Sequence, residues 1–239
     1  MTSVEPLIAA ARADPGLVLL EGFHALKHAL RFGAEVLAAM TADPDGFAAL
    51  AAQLAPDVDF GAVEPVPEAL LGPRPHHTKV LAVARRPAFD AAAIGPGRVV
   101  LLEDPRRPGN VGAVVRVAAA AGAAAVLTTG DRDPWEPEAL RGSAGLHFAL
   151  PVGRGGAGDV GGRPLVALDA GGEPLGALPP DAALAFGTER HGLSEALLAR
   201  ADARVAIPMR PGVSSLNLAT SVSAVLFAWR LSQARQGDV

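Results

Sequence analysis

Short apolar runs alternate with stretches of helical periodicity along the chain, which indicates a protein built from alternating strands and helices. In the first 87 residues, Phe23, Leu26 and Leu30 fall on one face of a predicted helix, and a second predicted helix covers residues 44–54. Four apolar runs in this part predict strands, over residues 17–20, 35–40, 58–63 and 79–84.

A second, longer unit is predicted after residues 88–97, where a run rich in Pro, Gly and Ala is typical of a linker. Helices are expected over residues 110–121 and 215–231. Five apolar runs predict strands, over residues 99–102, 124–128, 165–168, 182–186 and 205–207. Such alternation is typical of an α/β domain with a mostly parallel sheet covered on both faces. We therefore expect a small domain over residues 1–87 and a larger one over residues 98–239.

Composition narrows the class of protein. Of the residues, 50% are apolar and 19% are charged, so the chain can bury a core. Cysteine is absent, which excludes a disulfide framework and a thiolate metal site and fits a reducing cytoplasm. The first residues lack a basic segment followed by an apolar run, and the Ala-rich stretches are too short to span a bilayer. We therefore expect a cytoplasmic protein with no signal peptide and no membrane partner.

The overall charge gives little sign of a nucleic-acid partner, because the net charge is −4. The exception is the stretch of residues 69–89, which contains no carboxylate. It carries four basic residues, Arg74, Lys79, Arg85 and Arg86. A solvated loop and strand edge would have the same composition. If the chain binds RNA, these four side chains are the expected phosphate contacts.

Residues 101–122, LLEDPRRPGNVGAVVRVAAAAG, are the first of three segments with candidate chemistry. A predicted strand ends in an acidic, Pro-rich turn, and Asn110 then begins a predicted helix, where it could be an ordinary N-cap. Arg116 lies in that helix among Val, Ala and Gly, where a guanidinium needs a partner. Arg116 is therefore either part of a functional site or half of a structural ion pair. Gly112 permits the close approach of another backbone.

The second segment, residues 184–208, turns sharply after a predicted strand. Gly187, Glu189 and Gly192 lie in this turn, and Ser194 is expected to cap the next helix. Two glycines around a carboxylate at the carboxyl end of a strand favour a ligand-binding turn, since open α/β sheets bind ligands at that edge. Glu189 could instead be a solvated loop carboxylate.

The third segment, residues 207–230, runs from a predicted strand through a loop with Pro and Gly into the last predicted helix. Ser214 or Ser215 could cap this helix. The prediction places Asn217 inside the helix, where Asn is unfavourable unless its side chain has a partner. Asn217 is therefore a candidate functional residue.

Taken together, the three segments resemble the signature of the TrmH-type (SpoU) RNA 2′-O-ribose methyltransferases of the SPOUT superfamily. The resemblance rests on NVGAVVR at residues 110–116, GTERHG at 187–192, and IPM at 207–209 with SLN at 215–217. Their order and spacing match the three motifs of the family, and RGSAG followed by LHFALPV is similar to the stretch between them.

The beginning of the chain also resembles this family. LVLLEGFHALKHAL is similar to the start of the family's small substrate-binding domain, and HHTKVLAVARRP is similar to its end. The chain departs from the family at Thr78 and Lys79, where the family usually has Gln and Gly.

The resemblance implies an α/β fold with a parallel sheet and a C-terminal trefoil knot, preceded by a small α/β domain that binds the RNA substrate. It implies S-adenosylmethionine as the cofactor, no metal, and a homodimer formed through the knotted domain, with an Arg reaching toward the partner's cofactor. The cofactor contacts that it implies are Leu168, Asp169, Ala170, Gly187, Glu189, Gly192, Ile207, Met209, Ser215 and Leu216. The catalytic set that it implies is Asn110, Arg116, Glu189, Ser215 and Asn217.

The implied reaction is methyl transfer to a ribose 2′-hydroxyl of rRNA or tRNA. A ribose hydroxyl is a poor nucleophile, so the enzyme must align it with the methyl group and handle its proton. Because an Arg stays protonated, Arg116 is expected to orient the hydroxyl or a phosphate and to stabilise developing negative charge. Two alternatives remain open at this point: methylation of a tRNA base, and a non-catalytic RNA-binding protein with the same fold.

Overall fold

The computed structural model describes residues 4–188 and 191–236 and divides into two compact units. Unit 1 comprises Met1–Ala88 together with Ser143–Ala149, and unit 2 comprises Phe89–Gly142 and Leu150–Val239. The break after Ala88 lies one residue beyond the predicted end of the first domain. The return of residues 143–149 to unit 1 was not predicted, because this segment has none of the composition that marks a linker.

Unit 1 contains a four-stranded sheet in the order β1-β4-β2-β3. Its strands are β1 (Leu17–Glu21), β2 (Val36–Thr41), β3 (Val63–Pro65) and β4 (Val80–Arg85). Its helices are α1 (Glu5–Ala13), α2 (Phe23–Arg31) and α3 (Pro44–Leu54). The central strand β4 runs antiparallel to β1 and β2, whereas β2 and β3 are parallel. The unit is therefore a small α/β layer, as predicted.

The predicted strand over residues 58–63 is wrong for all but its last residue, because β3 covers Val63–Pro65. A turn takes the place of the strand: the amide of Gly61 donates to the Asp59 carboxylate at 2.9 Å, and Gly61 has a φ of 58°. The apolar residues around this turn gave a false strand signal because Asp and Gly determine the local backbone conformation.

Unit 2 is built on a six-stranded parallel sheet in the order β10-β8-β9-β5-β6-β7. Its strands are β5 (Val99–Leu102), β6 (Ala125–Thr128), β7 (Val152–Arg154), β8 (Leu165–Pro174), β9 (Ala183–Phe186) and β10 (Ala203–Ala206). Its helices are α4 (Pro108–Ala121), α5 (Pro137–Ser143), α6 (Glu195–Arg200) and α7 (Leu218–Gln236). All residues of β5, β6 and β9 are buried, so both faces of the central sheet are covered, as expected for parallel strands.

The edge of this sheet is irregular at β8 and β10. Strand β10 pairs with Val166 and Ala167 and then, after a register shift, with Glu173 and Pro174. Residues 168–172 of β8 therefore have no partner in the β10 ladder, although Leu168 still pairs with Phe186 of β9. This part of β8 provides one wall of the site described below.

The α/β class and the parallel sheet predicted from the sequence are confirmed. The trefoil knot stays a prediction of the family resemblance. Within the described residues, no helix combines the length and the apolarity that crossing a membrane requires.

Candidate functional site

A cavity of about 800 Å³ opens at the carboxyl ends of β8, β9 and β10 in unit 2. Its volume lies in the range of small-molecule and cofactor sites, roughly 300 to 1,000 Å³. Nine of the predicted cofactor residues line it, namely Leu168, Asp169, Ala170, Gly187, Gly192, Ile207, Met209, Ser215 and Leu216. The tenth, Glu189, lies outside the described residues. The structure therefore brings together in one cavity three segments that are far apart in the sequence.

The turn between β9 and α6 forms one wall and is closely packed on itself. The amide of Thr188 donates to the Gly192 carbonyl at 3.1 Å, and the amide of Gly192 donates back to the Thr188 carbonyl at 3.0 Å. A Cβ at Gly187 would lie 2.0 Å from the Gly192 carbonyl carbon, so no other residue fits there. Ser194 caps α6 as predicted, accepting from the amide of Leu197 at 3.2 Å.

The loop from Ile207 to Ser215 forms the opposite wall. It contains Pro208, Pro211 and Gly212, and Gly212 has a φ of 87°. Arg210 lines the cavity and is exposed. Among the described lining residues, Arg210 and Asp169 are the two that carry charge. Sequence reasoning missed Arg210, although its position directly after the IPM motif would have been a usable signal.

Asn217 caps the last helix and does not lie inside it. Helix α7 begins at Leu218, three residues later than predicted. The Asn217 side-chain oxygen accepts from the amide of Ala219 at 2.9 Å and from that of Thr220 at 3.4 Å. The alternative that Ser214 or Ser215 caps this helix is therefore wrong, because Asn217 does so.

Asn110 lies within its helix and is not the N-cap. Helix α4 begins at Pro108 with Arg107 at the N-cap, so the N-cap explanation of Asn110 is wrong. The Asn217 amide nitrogen donates to the Asn110 side-chain oxygen at 3.3 Å. This hydrogen bond joins the first and third sequence motifs across 107 residues of chain.

Arg116 is exposed on α4, and no carboxylate pairs with it among the described residues. The interpretation of Arg116 as half of a structural ion pair is therefore wrong for the part of the chain that the structure describes. Arg116 is also not among the residues that line the cavity of its own chain. The packing of α4 is as close as Gly112 suggested, because a Cβ there would lie 2.1 Å from the Ala139 carbonyl oxygen.

The four predicted RNA contacts lie in unit 1 and differ in their surroundings. Lys79 pairs with Glu68 at 2.9 Å, and this pairing raises the pKa of Lys79 above its ordinary value. Arg85 pairs with the Glu35 carboxylate at 2.8 Å.

Arg74 is exposed, with no ion pair within the described chain, whereas Arg86 is half-buried. Strand β4 separates the backbone of Lys79 from that of Arg85 by roughly 20 Å, at 3.3 Å per residue. Lys79 and Arg85 therefore lie at opposite ends of β4 and do not form one patch.

Comparison with known proteins identifies the family. The profile of the SpoU rRNA Methylase family matches residues 97–227, more than half of the chain. The 23S rRNA (adenosine(1067)-2′-O)-methyltransferase of Streptomyces azureus is 30% identical over 234 residues, which cover 90% of this chain and 87% of that enzyme. The 23S rRNA (uridine(2479)-2′-O)-methyltransferase of Streptomyces viridochromogenes is 34% identical over 170 residues, covering 62% of this chain but only 58% of that enzyme.

A solved structure supports the same assignment. The crystal structure of the SpoU methyltransferase AviRb from Streptomyces viridochromogenes, in complex with S-adenosylmethionine, superimposes with a TM-score of 0.76 at 26% identity. The alignment covers 98% of this chain and 99% of that one. The chain belongs to the SpoU rRNA methylase family.

Proposed function

We propose that this chain transfers a methyl group from S-adenosylmethionine to the 2′-hydroxyl of a ribose in 23S-type ribosomal RNA. The observation that carries the proposal is the cavity at the carboxyl ends of β8, β9 and β10, which lies where parallel α/β sheets bind ligands. The two relatives described above are 23S rRNA 2′-O-methyltransferases that act on different nucleotides. They therefore support 23S rRNA as the class of substrate and the ribose 2′-hydroxyl as the methylated group. They do not indicate which nucleotide is methylated.

The lining of the cavity suits S-adenosylmethionine. Phe186, Ile207 and Leu216 offer apolar surface for an adenine ring, and the turns around them expose backbone amides and carbonyls. Asp169 and Arg210 offer one anion and one cation for a ligand that carries both charges. When bound, the cofactor supplies an electrophilic methyl group on a sulfonium centre. We therefore assign cofactor binding to the nine lining residues named above, together with Glu189.

The chain's own groups must hold the ribose hydroxyl in line with the methyl group. The Asn217–Asn110 bond fixes two amide side chains next to the loop that carries Ser215. We assign these three residues, with Glu189, to orientation of the substrate ribose. A group held by a helix cap keeps its geometry during the reaction, which is the requirement for electrostatic preorganisation.

Arg116 stabilises negative charge on the attacking oxygen in this proposal, and it does so in the partner's site. Arg116 is exposed and does not line the cavity of its own chain, which is compatible with the arrangement that the family resemblance implies, in which an Arg reaches toward the partner's cofactor. We therefore assign the assembly as a homodimer through unit 2, as the family resemblance implies. A guanidinium can hold two oxygens at once, which suits a hydroxyl next to a phosphate.

Unit 1 provides the RNA-binding domain in this proposal. The bacterial relatives described above support a cytoplasmic location. Arg74 offers an uncompensated charge, whereas Lys79 and Arg85 must exchange a carboxylate for a phosphate on binding. We therefore expect unequal contributions from the four basic residues.

Two measurements test the proposed function. Calorimetry with S-adenosylhomocysteine should show binding at one site per chain, and a radiolabelled methyl group should pass from the cofactor to 23S rRNA. Binding without any transfer to RNA would point to a non-catalytic protein. Absence of binding by a folded protein would contradict the assignment of the cavity.

A further inference from the structure

The connection from β9 to α6 is held at both ends by a single residue, which lies in the first sequence segment but before its NVGAVVR motif. Glu103 follows the last residue of β5 and is half-buried. Its backbone amide donates to the carbonyl of Phe186 at 2.9 Å, at the start of the connection. Its carboxylate accepts from the Ser194 amide at 2.6 Å and from the Ser194 hydroxyl at 2.6 Å, at the end of the connection.

Between these two attachments lie residues 187–193, which form the wall of the cavity at Gly187, Thr188 and Gly192. The Thr188–Gly192 bonds fix the shape of this turn, and burial of Leu193 anchors its last residue in the core. That core cluster also contains Leu101 of β5, so apolar packing holds the Ser194 end of the turn against the sheet. The two hydrogen bonds from Ser194 to the Glu103 carboxylate add a directional polar contact between that end and the residue after β5.

We propose that Glu103 is a positioning residue for the cofactor site, an inference that rests on the proposed function. Its carboxylate clamps Ser194 and thereby sets the position of the Gly187–Gly192 wall against the bound cofactor. The contact is charge-assisted and uses both carboxylate oxygens, so it specifies geometry as well as adding stability. Ser194 has two roles, because its hydroxyl donates to Glu103 while accepting from the amide of Leu197.

The test compares variants of the full-length protein. Glu103→Ala should weaken S-adenosylhomocysteine binding and raise the KM for S-adenosylmethionine by roughly tenfold, the effect of losing hydrogen bonds to a charged group. The kcat at saturating cofactor and the KM for RNA should change by less than about threefold. Glu103→Gln retains one acceptor and should lose less, about threefold, and it provides the same comparison if the alanine variant does not fold.

Glu195→Ala is the matched control. Glu195 is an exposed carboxylate next to Ser194 in the first turn of α6 and has no contact with Glu103 among the described residues. Its removal should leave the cofactor affinity unchanged. A double-mutant cycle with Ser194→Ala adds a second check. The Glu103→Ala effect should be smaller in that background, where only the backbone amide of residue 194 still donates to the carboxylate.

The outcomes separate this proposal from the proposed function. A wild-type protein that does not bind S-adenosylhomocysteine overturns the proposed function. A wild-type protein that binds, together with a Glu103→Ala variant that melts earlier but keeps its cofactor affinity and KM, overturns the positioning role alone. Equal losses in Glu103→Ala and Glu195→Ala, or additive losses in the cycle, also overturn it.

Discussion

Asn217 has two separable contacts, and two substitutions distinguish them. Its oxygen caps α7, and its nitrogen donates to Asn110. Asn217→Ala removes both contacts. Asn217→Asp keeps an oxygen for the helix cap but cannot donate, so Asn110 must turn its own nitrogen toward residue 217 and its carbonyl away from its present position.

The expected stabilities follow from these contacts. Loss of the cap costs about 1 kcal/mol, and loss of the 3.3 Å side-chain bond adds about 0.5 kcal/mol. For a chain of this size, the melting temperature of Asn217→Ala should therefore fall by roughly 3 to 6 °C. Asn217→Asp should stay within about 0.5 kcal/mol of the wild type, because a carboxylate at a helix N-terminus is favourable.

The expected activities differ from the stabilities. If the Asn217–Asn110 bond orients the substrate, both variants should lose at least about tenfold in single-turnover methylation, although only Asn217→Ala loses stability. Calorimetric melting and single-turnover rates at saturating cofactor measure the two effects. Wild-type turnover in Asn217→Asp would refute the catalytic role and leave Asn217 as a helix cap alone.

Three further predictions concern other parts of the chain. Arg116→Lys should bind cofactor normally but lose roughly 10²-fold in single-turnover rate, because the planar fork is lost; a normal rate would remove Arg116 from the reaction. Arg74→Gln should weaken RNA binding at low salt more than Lys79→Gln, since Glu68 already neutralises Lys79; filter binding giving equal losses would contradict this. Burial lowers the pKa of His28 below its ordinary value of 6.5, so the folded state binds fewer protons than the unfolded state there. The free energy of unfolding measured with urea should therefore fall as the pH decreases below about 6.5. It should fall less steeply in His28→Asn. Parallel pH profiles of stability for the wild type and the variant would contradict this prediction.

Much of the site could be predicted because its motifs sit at strand ends. The apolar runs located β5 and β9 to within one residue, and the residues after such strands converge at one edge of a parallel sheet. Local sequence failed where a side chain determines the backbone. Helix α7 begins three residues later than expected, because the side-chain oxygen of Asn217 caps it. Helix α4 begins at Pro108, two residues before the predicted start, because proline is favourable in the first helical turn.

Contacts between distant residues could not be predicted from spacing. The basic stretch has no carboxylate of its own, yet Glu35, 50 positions before Arg85, pairs with it. The Glu103–Ser194 clamp joins residues that are 91 positions apart and belong to no shared motif.

The departure from the family at Lys79 has a structural counterpart. Lys79 has a φ of 51°, a left-handed conformation that favours glycine. This conformation accounts for the glycine that the family usually has at this position.

The position of the transferred methyl group tests the central claim most directly. Unmodified 23S rRNA would be incubated with the protein and methyl-labelled S-adenosylmethionine, then digested to nucleosides for mass spectrometry. We predict that the wild type forms one labelled 2′-O-methylated nucleoside. The Arg116→Ala variant should form none, although it still binds S-adenosylhomocysteine. Label on a base, or no label in RNA despite bound cofactor, would contradict the account.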